Sequence, residues 1–264
     1  FRVSENQRRV FLAAGTAGAI AAVFNAPIGG VFFAIEIVLF NNFQTLTFSA
    51  LIISAITADY ISRVFLGDQL LLTLPKVEMA LSLNILYFAV LGIITGLFSL
   101  AFIRFSGKMH NFFDAQKGRF APLLRLTGLM LILGIVGLFF PQIIGIGYDA
   151  IQEIANNNYT WQILAIVFVL KFLFSGLLSA AGGFGGLFAP SLLMGAALGA
   201  FLAKGGNQVL GLSLDVAGFA IAGMGGMLAA VNSIPVTALL IIVEITGNYH
   251  LVLPLMLTVI MSYI

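Results

Sequence analysis

The 264 residues are 61% hydrophobic and 8% charged, with a mean hydropathy of +1.11. A soluble domain carries about 25% charged residues, so this chain cannot cover itself in water and reads as an integral membrane protein. Its 12 basic and 10 acidic residues are too few and too scattered for nucleic-acid binding, and the lack of cysteine excludes a disulfide framework, a thiolate metal site and a catalytic thiol.

In chain order, the polar start Phe1-Arg-Val-Ser-Glu-Asn-Gln-Arg-Arg9 runs directly into an apolar helix, so no cleavable signal is expected. Hydrophobic periodicity and turn residues predict helices over 8–24, 26–38, 46–66, 82–112, 121–140, 148–156, 160–180, 189–204, 215–230, 234–245 and 250–264. Several are shorter than the roughly 20 residues of a full span. Short, broken helices are the mark of channels and secondary transporters. Separators fall at Asn41-Asn42, Gly67-Asp68, Pro141, Gly145-Ile-Gly147, Asn156-Asn-Asn158 and Gly205-Gly206. Gly15 with Gly18, and Gly92 with Gly96, stand at spacings that let membrane helices approach closely. The whole chain, 1–264, reads as one all-α, polytopic transmembrane domain. Ile264 falls inside an apolar run, and a segment of a longer protein is expected.

Basic residues set an expected orientation. Arg2, Arg8 and Arg9 precede the first helix, and Arg104, Lys108, Lys117, Arg119 and Arg125 surround the turn after 82–112. By the positive-inside rule both regions face the cytoplasm, and the loop 67–80, with Asp68, Lys76 and Glu78, faces the other side.

Two features stand out from this background. The first is residues 182–190, Gly-Gly-Phe-Gly-Gly-Leu-Phe-Ala-Pro, followed by a helix with a small-residue face. Four glycines in five positions bare the backbone, and Pro190 suits a first helical turn. A helix then begins inside apolar protein, where its opening amides and positive dipole end attract an anion. The plain alternative is a glycine hinge between packed helices. The second is an internal repeat. Shifting 11–37 by 208 positions onto 219–245 superposes Phe11, Ala14, Gly15, Gly18 and Ala21-Ala22-Val23 on identical residues, and also Pro27 on Pro235, Glu36 on Glu244 and Ile37 on Ile245. A lone proline and a lone glutamate in register in both copies point to two related halves, helices 1–66 and those around 215–264.

Glu36 and Glu244 are the acids deep within apolar helices. Intramembrane carboxylates are costly, so a proton-handling role stands beside that of a buried structural cap. Lys171, in the apolar stretch Leu170-Lys171-Phe172, is expected to snorkel or pair with an acid, with added positive potential on an anion path as the alternative. His110, His250, Tyr148 and Tyr249 read as surface or interface residues. No serine–histidine–acid set, paired-carboxylate site or phosphate loop is present, so no enzyme, metal or cofactor is called.

Gly186-Leu-Phe-Ala-Pro190 resembles the Gly-x-Phe-x-Pro element of the CLC chloride channels and proton-coupled chloride transporters. Phe24-Asn-Ala-Pro through Glu36, Phe219 through Ala230, Ile234-Pro through Glu244, Gly145-Ile-Gly-Tyr148 and Thr246-Gly-Asn-Tyr249 are similar to further family elements, in the family's order. The resemblance implies an inverted-repeat CLC architecture and a homodimer with one anion pathway per subunit. It also implies that backbone amides at Gly186, Leu187 and Phe188 hold chloride, with Phe188 walling the path. The dimer face it implies lies on 26–38, 46–66, 234–245 and 250–264, in the lipid bilayer of a prokaryotic inner membrane. The absence of a basic residue between Phe174 and Ala203 fits a site that solvates chloride by partial charges without trapping it. The family's binding serine and gating glutamate fall upstream of Phe1, and its binding tyrosine beyond Ile264. Its internal proton-transfer glutamate falls at Ile37, which carries no proton. Passive conduction and chloride–proton exchange both remain open, as do a sodium-coupled solute symporter and a non-transporting membrane scaffold.

Overall fold

A computed structural model describes residues 4–41, 45–67, 72, 74–75, 85–115, 120–183 and 185–264. Arg2, Asn42, Asp68, Lys76, Glu78, Lys117, Arg119 and Phe184, all used in the sequence expectations, lie outside the described residues. Among the described residues the regular elements are all helices. In order they are α1 (Glu5–Phe24), α2 (Pro27–Phe33) with a π-helical turn (Ala34–Val38), α3 (Thr45–Leu66), α4 (Ile85–Asp114) and α5 (Ala121–Phe139). After a 3-10 turn (Pro141–Ile143) come α6 (Tyr148–Ala155), α7 (Trp161–Ala180), α8 (Phe188–Val209), α9 (Val216–Asn232) and α10 (Pro235–Thr246). A last 3-10 turn (Tyr249–Leu251) leads to α11 (Val252–Tyr263). Five helices, α3, α4, α5, α7 and α8, are long and apolar enough to cross a membrane, as the composition predicts. The chain divides into two compact units, Phe1–Thr73 with Ile234–Val252, and Leu74–Ser233 with Leu253–Ile264.

In the first unit α1, α2 and α3 pack through small residues. The core holds Ala13, Ala17, Ala21, Val31, Ala34, Ile35, Leu51 and Ala55. Ser54 Oγ donates to Ala14 O at 2.7 Å and Ser62 Oγ donates to Ala22 O at 2.8 Å, so two hydroxyls eight residues apart stitch α3 to the α1 backbone. A Cβ on Gly30 would stand 2.5 Å from Ala17 O, and one on Gly18 2.9 Å from Ser54 Oγ. Gly15 meets nothing within 4 Å, so of the expected pair only Gly18 serves close packing.

In the second unit Ser191–Ala200 of α8 and Ala217–Ala229 of α9 are buried, and the two helices touch backbone to backbone. Cβ atoms on Gly195, Gly199 and Gly223 would lie 2.2, 2.0 and 2.3 Å from a carbonyl oxygen of the facing helix. Gly92 and Gly96, as expected, admit α11, where a Cβ would meet Thr258 O and Ser262 O at 2.6 and 2.7 Å. Buried hydroxyls again bond across helices: Thr258 Oγ1 donates to Phe88 O and Ser262 Oγ donates to Gly226 O. Phe98, Phe102, Phe168 and Phe172 set α4 edge-to-face on α7, with ring centroids 5.1 and 5.3 Å apart.

Several helix ends shift by one to three residues, as where α1 starts at Glu5 and α4 runs from Ile85 to Asp114, and two differences go further. Residues 26–38 are not one α-helix. The ladder widens at Ala34–Val38, where Leu39 N–H donates to Ala34 O and Asn41 N–H donates to Ile35 O. Gly205-Gly206 does not separate helices; α8 runs on to Val209. Gly206 instead leaves room for the side chains of Leu214 and Leu212, which would stand 3.2 and 3.5 Å from a Cβ there. The Asn207 amide group exchanges two hydrogen bonds with the Leu214 backbone, folding the following segment back on α8.

Gly199→Ala is expected to destabilise the detergent-solubilised protein by at least about 1–3 kcal/mol, the usual cost of overpacking. Gly107→Ala, in open space within α4, should be neutral or gain up to about 1 kcal/mol. Thermal unfolding of the two variants checks the contrast.

Candidate functional site

The internal repeat carries into backbone geometry. α1 ends at Asn25 (φ 49°, ψ 39°) and α9 at Ser233 (φ 57°, ψ 43°), both left-handed. The next residues, Ala26 (φ −130°, ψ 74°) and Ile234 (φ −129°, ψ 62°), repeat each other, and a proline then opens each following helix. Neither Ala26 nor Ile234 offers a side-chain cap. The opening amides of a helix have no acceptor one turn back, and in apolar surroundings they require one.

Within the first unit each of these helices receives its cap from the other. Glu244, near the end of α10, accepts from Ile28 N–H at 3.0 Å and Gly29 N–H at 2.7 Å at the start of α2. Glu36, in the π turn that extends α2, accepts from Val236 N–H at 3.0 Å and Thr237 N–H at 2.8 Å at the start of α10. The proline at the first position has no N–H to satisfy, so one carboxylate serves the next two. Each negative charge also sits at the positive end of a helix. The two repeat-related glutamates are therefore reciprocal caps, the structural role weighed for them above. A Cβ on Gly29 would stand 2.2 Å from Ile241 Cγ1, so glycine lets α10 come close enough for this bond. Ile37, beside Glu36, is partly exposed and apolar.

Sequence reasoning missed a supporting residue. Arg63 Nε donates to Asp59 at 2.8 Å, and its Nη2 donates to Asn25 O at 3.3 Å, in the turn that aims α2. The i,i+4 spacing of Asp59 and Arg63 was the available signal.

The glycine run belongs to the second unit. α7 ends at Ala180; Gly182 takes φ 85° and Gly183 N–H donates to Leu178 O. α8 then opens at Phe188, with Leu187 as N-cap (φ −87°, ψ −2°) and no side-chain cap. The first intrahelical bond runs from Ser191 N–H to Leu187 O at 3.0 Å, and Pro190 contributes no N–H. Ser191, fully buried, donates to Phe188 O at 2.7 Å and accepts from Asn232 Nδ2 at 3.3 Å, which fixes the first turn against α9. Gly185, Gly186, Leu187 and Pro190 line a cavity of about 320 Å³ whose other walls include Ile143, Gly145 and Lys171.

Lys171, midway along α7 and 5% exposed, does not snorkel, and it has no carboxylate partner among the described residues. Its Nζ donates to Ile143 O at 3.0 Å and Gly145 O at 2.9 Å. The turn after α5 leaves those carbonyls outside any ladder, which is why they take the ammonium. His110 forms an exposed pair with Asp114 at 3.2 Å, in keeping with a surface role.

Glu36→Ala and Glu244→Ala should each cost about 1–3 kcal/mol, the penalty of leaving part-buried helix-opening donors unpaired. The corresponding glutamines, which keep one accepting oxygen, should lose less. Thermal unfolding in detergent reads both effects.

The sequence pattern described as voltage gated chloride channel matches residues 1–264. An H(+)/Cl(-) exchange transporter, ClcA, of Vibrio campbellii is 34% identical over 263 residues, covering 98% of this chain and 56% of that protein. A putative chloride channel protein, ClcB-like, of Ralstonia nicotianae is 33% identical over 263 residues, covering 99% and 61%. Among solved structures, a slow cyanobacterial Cl-/H+ antiporter superposes with a TM-score of 0.89 at 28% identity, over 99% of this chain and 62% of that one. A CLC-type fluoride/proton antiporter, at 23% identity and a TM-score of 0.78, shares the fold. This chain spans little more than half the length of these relatives. With its pattern matched from end to end, its helices arranged as in the antiporter and its identity to the exchangers above 30%, the chain belongs to the voltage gated chloride channel family.

Proposed function

We propose that the protein transports chloride, or a closely related anion, across a membrane, and that the α8 opening is its anion-coordinating element. The observation that carries this reading is an apolar 22-residue helix with no side-chain cap, opening behind a bare glycine turn onto a cavity. The amides of Gly186, Leu187 and Phe188 supply partial positive charge there, with the α8 dipole behind them. Chloride is held loosely enough by such partial charges to leave again. In this reading Phe188 walls the anion path beyond the cavity, whose lining includes Gly186, Leu187 and Pro190. The bound species is the transported anion, with no cofactor and no covalent chemistry, so the protein is a transporter and not an enzyme.

The names of the relatives favour proton-coupled exchange. Ile37 requires that such a proton take a route avoiding that position. Glu36 and Glu244, committed to helix amides, act in this reading as caps and not as proton carriers. The two compact units serve one transmembrane domain. Two copies associate through apolar faces on 26–38, 46–66, 234–245 and 250–264; on α3, Ile53, Ile56 and Tyr60 are more than half exposed. The bacterial relatives support placement in a bacterial inner membrane.

Leu187→Pro removes one of the proposed donors at a backbone φ that proline nearly tolerates. The full-length protein carrying it should move chloride at least about tenfold more slowly in proteoliposomes, corresponding to roughly 1.4 kcal/mol. Unchanged flux would remove α8 from the pathway. Under opposed chloride and proton gradients, the zero-current potential should depart from the chloride equilibrium value; a potential fixed on that value would assign a channel instead.

A further inference from the structure

We propose that Lys171 sets the anion affinity of the α8 site from a distance, as a fixed positive charge in the cavity wall that is held back from direct coordination. This rests on the reading of α8 as the anion site.

The placement is unusual for a lysine. It stands halfway along a 20-residue apolar helix, 95% shielded, and lines the same cavity as Gly185, Gly186 and Leu187. An intramembrane ionisable residue is costly and is retained for a reason. Its two hydrogen-bond acceptors give only part of that reason. Ile143 O and Gly145 O need N–H donors, and a neutral amide supplies those without burying a full charge. What an ammonium adds over an amide is net charge. The turn that holds it is stiffly built: Pro141–Ile143 form a 3-10 turn, and Gly145 and Gly147 take φ 68° and 87°. The charge is thereby pinned to one wall, with two of its three donors engaged.

That arrangement resolves a conflict. A free ammonium at the site would trap a halide, while a site of amides alone would attract it weakly from solution. A charge solvated by two carbonyls acts through its field, which falls slowly across a low-dielectric cavity. Lys171 is in this sense a positioning and affinity-setting residue; the amides of α8 make the contact. The same two hydrogen bonds tie the 143–147 turn to α7, so the wall and the charge form one element.

The test uses the full-length protein with Lys171→Gln, Lys171→Met and Lys171→Arg. Chloride binding in detergent by calorimetry and the chloride dependence of flux in proteoliposomes are measured together. Lys171→Gln, which keeps two donors without the charge, should raise the half-saturating chloride concentration about tenfold, or roughly 1.4 kcal/mol. Lys171→Arg should stay within about twofold of the wild type. A purely structural role predicts the opposite pattern: glutamine retains normal affinity, and methionine lowers only the thermal midpoint. Chloride bound equally by wild type and Lys171→Gln overturns this inference alone. Wild-type protein that binds no chloride overturns the α8 reading with it. Should methionine prevent folding, the glutamine and arginine pair still decides.

Discussion

A helix that starts inside apolar surroundings must find something negative for its first amides, and the organisation of this chain follows from how each such start is answered. α2 and α10 open with proline after a left-handed turn and carry no cap of their own. Each is answered by a carboxylate from the other, with two N–H donors per glutamate at 2.7–3.0 Å. α8 opens without a side-chain cap. The chain commits Glu36 and Glu244 to two helix openings and leaves α8, like α5, α6 and α7, without a side-chain cap; α8 opens behind a glycine run onto a cavity, where a mobile anion fits.

Close backbone approach is the second constraint, and it follows from the first. Lipid is as apolar as leucine, so membrane helices gain little by hiding aliphatic side chains from it. Packing and hydrogen bonds must hold them together. Glycines let α8 meet α9, and α4 meet α11, with carbonyls where a Cβ would otherwise sit. Serine and threonine hydroxyls then bond to the neighbouring backbone, as Ser54, Ser62, Thr258 and Ser262 do. Gly18 and its repeat mate Gly226 both face a hydroxyl of the adjacent helix, from Ser54 and Thr95. The repeat preserves the means of contact, while the helices contacted differ.

Helix existence was legible because an apolar stretch broken by Pro, Gly and Asn leaves few other choices in a bilayer. The Pro27/Pro235 and Glu36/Glu244 register likewise marked two related helices, with a cap as one of the two roles open to each glutamate. Where the residues misled, a neighbour supplied the difference. Gly205-Gly206 has the composition of a break, yet Leu212 and Leu214 fold back over Gly206 and Asn207 fastens them, so the helix continues. Residues 26–38 have one apolar rhythm, yet the ladder widens into a π turn at Glu36, the residue that caps α10.

By itself, then, the sequence determined the membrane class, the helix inventory, the repeat and a helix start directly after the glycine run, because these depend on composition and on local backbone freedom. Only the tertiary structure decided that Glu36 caps α10 while Glu244 caps α2, that Lys171 takes two carbonyls in place of an acid, and that its charge shares a cavity wall with Leu187. Those pairings join residues far apart in the chain, 28 positions for Lys171 and Ile143 and 216 for Glu244 and Ile28. No periodicity along the chain encodes which distant backbone groups will be left without a partner; that depends on where packing brings the helices together.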